Sequence, residues 1–278
     1  MTDMIPYPSV AGARWHFAGV GPNRVHYLTA GQGSQTLVFI HGWSCHLGFW
    51  HEQIAALAGK ARLILIDLPG HGRSDKPETA YTMDFFARAV VAVLQDAKVD
   101  QATFIGHSMG GAVMCQVYHL APEKFAALVS VDGLLCRLPG TPEESRALAA
   151  GFASPDYLAH GKMFINSLFP VPGTEALRAR VMADMLATPQ YVMLGGMAAM
   201  VDQNQPDWIL PQVRVPVLTI NSRSPWWSAR YEKYVRSLSP QSDYVTMEGV
   251  GHFLMLEQPA TLNAMLSERL GRHGLIGQ

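Results

Sequence analysis

The chain is read as an α/β protein, a doubly wound and mostly parallel sheet interrupted by one inserted helical unit. Three observations predict this. Short β-rich runs recur along the sequence, amphipathic stretches of helix length separate them, and one long segment from about Leu134 to Pro211 carries no strand signal. Such alternation builds parallel sheets, because right-handed crossovers lay a helix over the sheet between successive strands.

The first β-rich run is Arg24 to Leu28. The second, Thr36 to Ile40, is apolar nearly throughout, as a strand covered on both faces must be. Runs of the same character follow at Arg62 to Asp67, Ala102 to Gly106, Leu128 to Asp132, Val215 to Ile220 and Tyr244 to Met247. From Thr82 to Ala97, the residues Phe86, Val90, Val93, Leu94 and Ala97 fall on one helical face, with Thr82 placed to cap it. A last helix is predicted from about Gln258 to Arg272. The interruption reads as several short helices punctuated by Pro139, Pro142, Pro155, Pro170, Pro172, Pro189 and Pro206. The expected organisation is a core made of residues 1–133 and 212–278, with a helical cap inserted at 134–211. Internal repeats are absent, so a solenoid is not expected.

Composition narrows the function. With 21 Lys and Arg against 22 Asp and Glu the net charge is -1, and no basic run could release counterions from a phosphate backbone, so nucleic acid is not an expected partner. No stretch approaches the ~20 apolar residues that span a bilayer, and the N-terminus lacks a signal-peptide pattern. The expectation is a soluble cytoplasmic protein, monomer or homodimer, without a membrane span. Cys45, Cys115 and Cys136 are the three cysteines, an odd number without C-x-x-C spacing. They predict neither a disulfide framework nor a cysteine zinc site, and no metal is expected.

The strongest local signal is Gly106-His107-Ser108-Met109-Gly110-Gly111. It fits G-x-S-x-G, follows a predicted strand and precedes a predicted helix. A sharp strand-to-helix turn would lift the Ser108 hydroxyl above the sheet, and only very small residues at 106 and 110 let the chain pass so tightly. The helix N-terminus behind it favours negative charge on a reacting oxygen. The competing interpretation is a glycine-rich turn with an ordinary N-cap serine.

His41-Gly42-Trp43-Ser44 follows the run ending at Ile40, and DLPGHGRSD spans Asp67 to Asp75. With GHSMGG, these motifs resemble the α/β-hydrolase fold over essentially the whole chain. The resemblance implies an oxyanion hole formed by the backbone N–H groups of Trp43 and Met109. It also implies a general-base histidine in the loop after the last strand, which His252 in Gly249-Val250-Gly251-His252-Phe253 matches. An imidazole titrates near neutrality, so it can take the Ser108 proton and return it to a leaving group.

The acid departs from the commoner family pattern. Most members carry it after the seventh strand, where this chain reads Asn221-Ser222-Arg223-Ser224-Pro225-Trp226-Trp227 without a carboxylate before Glu232. A minority place it at the end of the sixth strand, and Asp132 occupies that point, preserving the order Ser108, Asp132, His252. The alternative for Asp132 is a cap on the first turn of the insertion.

Methionines 163, 182, 185, 193, 197 and 200 concentrate in the insertion. Flexible thioethers adapt to varied apolar shapes, although Met193, Met197 and Met200 also suit a stripe that docks the insertion on the core. Gly195-Gly196 is expected to lend the cap flexibility. The candidate substrate-pocket residues are His41, Trp43, His107, Met163, Met193, Met197, Trp226, Trp227 and Phe253. For His41, as for His71, a structural role in bonding loop backbone is favoured. Cys45 is expected to be a packing residue.

These features together predict a serine hydrolase that cleaves carboxylic esters of small to medium apolar substrates, with no cofactor. Lactone and carbon–carbon bond hydrolysis remain open on the same fold. So does a cofactor-independent dioxygenase of a heteroaromatic ring, which would use the His-Asp pair as a base. A ligand receptor is the third class, made less attractive by an apparently complete triad.

Overall fold

The computed structural model describes residues 4–137, 142–201, 207–224 and 226–277. Its strands are β1 (Arg14–Val20), β2 (Asn23–Ala30), β3 (Thr36–Ile40), β4 (Arg62–Ile66), β5 (Ala102–His107), β6 (Phe125–Val131), β7 (Val217–Ser222) and β8 (Asp243–Met247). They form one sheet in the order β1-β2-β4-β3-β5-β6-β7-β8. Only the pairs β1/β2 and β2/β4 are antiparallel; from β4 to β8 every pairing is parallel. The helices are α1 (His51–Leu57), α2 (Met83–Asp96), α3 (Met109–Leu120), α4 (Pro142–Ala153), α5 (Tyr157–Ser167), α6 (Glu175–Leu186), α7 (Gln190–Val201), α8 (Ala229–Leu238), α9 (Leu254–Glu257) and α10 (Pro259–Arg272).

Every residue of β5 is buried, as are Leu37 to Ile40 of β3, so the apolar runs are the strands covered on both faces. On α2, Phe86, Val90, Val93 and Leu94 are buried, and the Phe85 N–H donates to Thr82 Oγ1 at 3.1 Å to cap the helix. β1 was not anticipated. Its Trp15 and Phe17 face solvent, with the Arg73 guanidinium over Trp15 and that of Arg24 over Phe17, so its pattern is not that of a buried strand. β7 starts two residues later than expected because Pro216 has no N–H to give the ladder. The final helix begins at Pro259, preceded by the short α9.

Between β6 and β7 the described residues form α4 to α7 and a short 3-10 turn, without a strand. Pro142 opens α4, Pro155 separates α4 from α5, Pro170 and Pro172 separate α5 from α6, and Pro189 precedes α7. Pro139 and Pro206 lie outside the described residues, as does Pro225. All three cysteines are free and buried. No helix among the described residues is long and apolar enough to cross a membrane.

Candidate active site

Ser108 sits between the end of β5 and the start of α3 with φ 53° and ψ -123°, a conformation that costs a non-glycine residue strain. Although it occupies the N-cap position, its side chain caps nothing, so Oγ is not spent on the helix. The glycines around it are forced by close approach. A Cβ on Gly106 would lie 2.5 Å from the Gly110 carbonyl oxygen, and one on Gly110 would lie 2.4 Å from that of Ile40. Serine's own carbonyl accepts from Gly111 N–H at 2.9 Å and from Leu134 N–H at 3.0 Å, tying the turn to the segment after β6.

Asp132 follows β6 directly, is fully buried and also has positive φ, 46°. Its carboxylate is not a helix cap. Oδ1 accepts from Ser222 N–H at 2.5 Å, and Oδ2 accepts from the Ser222 hydroxyl at 3.1 Å and from His252 Nδ1 at 2.7 Å. Ser222 thus supplies two donors from the end of β7, the strand after which this chain lacks an acid. Because Nδ1 donates to the carboxylate, Nε2 is the basic nitrogen of the neutral His252 ring.

The loop carrying His252 is fixed at several points. Glu257 accepts from Gly251 N–H at 2.8 Å and Phe253 N–H at 3.0 Å, and His252 N–H donates to the Leu168 carbonyl at 3.0 Å. His107 Nε2 donates to the His252 carbonyl at 2.9 Å, so the residue before Ser108 holds the backbone of the histidine loop.

The segment after β3 reaches the serine from the adjacent strand, since β3 pairs in parallel with β5 and Ile40 lies opposite Gly106. A Cβ on Gly42 would lie 2.9 Å from both Ser108 Cβ and His107 Nδ1, which puts the His41-Gly42-Trp43 turn against the serine. His41 donates from Nδ1 to the Gly42 carbonyl at 2.8 Å and accepts from Leu68 N–H at Nε2, 3.0 Å. His71 does the equivalent with the Pro69 carbonyl at 2.9 Å and Ser44 N–H at 3.2 Å. Beneath them the buried Asp67 accepts from Leu47 N–H at 2.7 Å, His26 Nδ1 at 2.8 Å and Arg73 N–H at 2.9 Å. The DLPGHGRSD motif therefore braces the turn.

A cavity enclosing about 580 Å³ of empty space, partly open to solvent, is lined by Ser108 and His252 together. Trp43, His107, Met197, Trp226, Trp227 and Phe253 line it as expected. Three expected residues do not. His41 is spent on loop backbone; Met193 is buried inside the helical unit, where its carbonyl accepts from Trp43 Nε1 at 2.8 Å; and Met163 is 66% exposed. On α5 it is the next residue, Phe164, that reaches the cavity, since one helical step turns a side chain about 100°. Leu134, Leu148, Leu168, Met185 and Met200 complete much of the apolar wall. Of these, Leu134 and Leu148 carried no signal beyond being apolar. Among the described residues no group of His, Cys, Asp and Glu could hold a metal ion.

Comparison with known proteins places this architecture. A family model described as the alpha/beta hydrolase fold matches residues 35–259. The chain belongs to the α/β-hydrolase fold family. It is 30% identical, over 85% of this chain and 93% of the relative, to a pimeloyl-(acyl-carrier protein) methyl ester esterase of Yersinia pseudotuberculosis. It is 28% identical, over 94% of this chain and 70% of the relative, to a dihydrolipoyllysine-residue acetyltransferase component of an acetoin cleaving system from Cupriavidus necator. Among solved structures, an esterase from Rhodococcus sp. ECU1013 superposes with a TM-score of 0.79 at 25% identity, covering 93% of this chain and 98% of that one.

Electrostatics in this α/β-hydrolase follow from burial. Desolvation pulls His252 below its ordinary 6.5, so the ring is neutral at rest. The same burial pushes the Asp132 carboxyl up, opposed by the donors from Ser222. His41 and His107 are held down at about 3 and His71 at about 4, in each case chiefly by burial. For Asp67, burial pulls upward, yet the hydrogen bonds from His26 and from the Arg73 and Leu47 backbone outweigh it and the carboxyl lies below its usual range. Ser222, which donates twice to Asp132, is the residue of this cluster that the sequence did not mark, a hydroxyl at a strand end being too common to single out without its partner.

Proposed function

We propose that the protein is a serine hydrolase of carboxylic esters, working through Ser108, His252 and Asp132. The observation that carries this reading is the 2.7 Å hydrogen bond from His252 Nδ1 to the buried Asp132, on a ring that shares its cavity with a strained serine whose hydroxyl is not engaged in capping. Residues 134–211 act as a cap over a core formed by 1–133 and 212–278. The apolar wall of the cavity favours uncharged substrates of small to medium size. The esterase relatives add to this reading.

In the first half-reaction Ser108 Oγ attacks the ester carbonyl carbon while its proton passes to His252 Nε2. Asp132 holds the tautomer and stabilises the imidazolium that forms. The carbonyl oxygen becomes an oxyanion facing the Trp43 and Met109 N–H groups, a donor pair of the kind whose loss costs about 3 kcal/mol per donor in the transition state. Collapse breaks the C–O bond to the alcohol, which leaves with the proton from Nε2, and an acyl-Ser108 remains. Water then gives a proton to Nε2 as it attacks the acyl carbon; the proton returns to Ser108 Oγ as the acid departs.

The test is a series of p-nitrophenyl esters of graded acyl length, run on wild type and Ser108→Ala. Hydrolysis by the wild type, abolished in the variant, is expected. A Ser108→Ala enzyme with full activity, or oxygen uptake in place of ester cleavage, would defeat the serine mechanism.

A further inference from the structure

We infer that helix α7 is part of the oxyanion apparatus: its seat on the Trp43 indole and on Met109 sets the two backbone donors, so that the cap must be docked for turnover. This rests on the proposed hydrolase reading and deepens it.

Trp43 connects the two parts of the molecule. Its backbone belongs to the turn packed against Ser108, whereas its indole meets the insertion, and the whole residue is 2% exposed. The Nε1–H donates to the Met193 carbonyl of α7 at 2.8 Å. Phe152 of α4 and Phe164 of α5 meet the ring edge-on, with centroids 4.9 Å and 5.6 Å away. Three insertion helices therefore form the socket of one core side chain.

The closest approach is at Gly196. A Cβ there would lie 2.9 Å from Trp43 Cδ1, 3.4 Å from Trp43 Nε1 and 3.7 Å from Met109 Sδ. One point on α7 thus lies close enough that a single added methyl would meet the side chains of both residues whose N–H groups form the proposed oxyanion hole. Gly195 faces elsewhere, its Cβ position lying 2.9 Å from Tyr81 Cβ. The glycine pair, expected from sequence to lend flexibility, sits inside a regular helix and permits close packing instead. Oxyanion stabilisation depends on donors held within a few tenths of an ångström, so displacement of α7 that turns the indole would misaim the Trp43 N–H.

Two substitutions probe this contact and a third controls for it. Trp43→Phe removes the indole donor and leaves the backbone N–H. Gly196→Ala adds one methyl against Trp43 while improving helix propensity, so it reports on the contact even where Trp43→Phe folds poorly. Gly195→Ala adds the same methyl against Tyr81. Steady-state kinetics on p-nitrophenyl esters, with thermal melting to check folding, should show kcat reduced about 10- to 100-fold by Trp43→Phe and by Gly196→Ala. KM should stay within about 3-fold, because the loss is in the transition state. The double variant should lose little more than either single one, since one contact is broken twice. Retained kcat in both variants, a loss carried by KM alone, or an equal loss in Gly195→Ala would overturn the inference. Wild type that neither hydrolyses the esters nor is labelled at Ser108 by a fluorophosphonate would refute the hydrolase reading before any variant is compared, and this inference with it.

Discussion

The proposed acid–base pair and the proposed oxyanion turn flank the same serine, but the chain holds them by different means. Asp132 is fixed by charge and hydrogen bonds from core elements: the end of β7 gives two donors and the loop after β8 gives the third. Trp43 is fixed by shape, its backbone braced by neutral histidines and its indole enclosed by α4, α5 and α7. The first arrangement should respond to changes that preserve volume and alter charge. At its indole socket the second should ignore charge and respond to a single methyl.

The largest expected effect tests the electrostatic half. Asp132→Asn keeps the side-chain volume and removes the charge that fixes the His252 tautomer, and kcat should fall about 10³- to 10⁴-fold while thermal melting shows the fold intact. Near-normal turnover would remove Asp132 from the mechanism. Acid comes next, because it reaches the bracing half through His41 and His71 and the junction through His107. All three rings are buried and neutral in the fold, with pKa values lowered from 6.5 to about 3, 4 and 3 respectively. The unfolded chain takes up these protons below pH 6.5 and the folded chain does not, so stability is full above that pH and is lost as pH falls. By pH 5 the loss is about 2 kcal/mol per ring. Urea denaturation midpoints from pH 7.5 to 5 measure it; a flat profile would mean that the rings are protonated in the fold.

How far the sequence could be read follows the same division. Ser108 and Asp132 directly follow β5 and β6, apolar strands that declare themselves, whereas His252 lies in the loop after the more polar β8 and could be placed by motif and chain order. Ser222 escaped because a lone hydroxyl at a strand end carries no signature until its partner is known. The pocket was legible only in part. Trp226, Trp227 and Phe253 come from loops at the ends of core strands, whereas Met163 and Met193 lie in a helical segment whose orientation the sequence does not fix. α7 is apolar around most of its circumference, so its face toward the cavity could not be separated from its face toward the core. β1 was missed for the opposite reason, since its aromatic side chains point outward.

A smaller effect sharpens the role of Ser222. Ser222→Ala deletes the hydroxyl donor to Asp132 and leaves the stronger backbone donor in place. The loss in kcat should be about 10-fold or less, the scale of one net hydrogen bond, because the backbone donor still holds the carboxylate. Direction is the better diagnostic. Removing a donor disfavours the carboxylate, so the Asp132 carboxyl should titrate higher and the acid limb of kcat/KM should move to higher pH. Movement to lower pH would show that the hydroxyl does not stabilise the ionised acid.

The smallest effect separates two neighbours on α5. Phe164 faces both the Trp43 indole and the cavity, while Met163 points to solvent. Phe164→Ala should raise KM for the longer acyl chains about 10-fold, the scale of a lost apolar contact in a substrate pocket. It should also lower kcat, because it empties one wall of the indole socket. Met163→Ala removes a thioether that touches neither, so kcat and KM should stay within about 2-fold and stability within about 0.5 kcal/mol. Reversal of the pair, with Met163 governing acyl-chain preference, would require α5 to be turned by one residue. That rotation would also withdraw Phe164 from Trp43, so the same two variants test the docking of the proposed cap as well as the lining of the cavity.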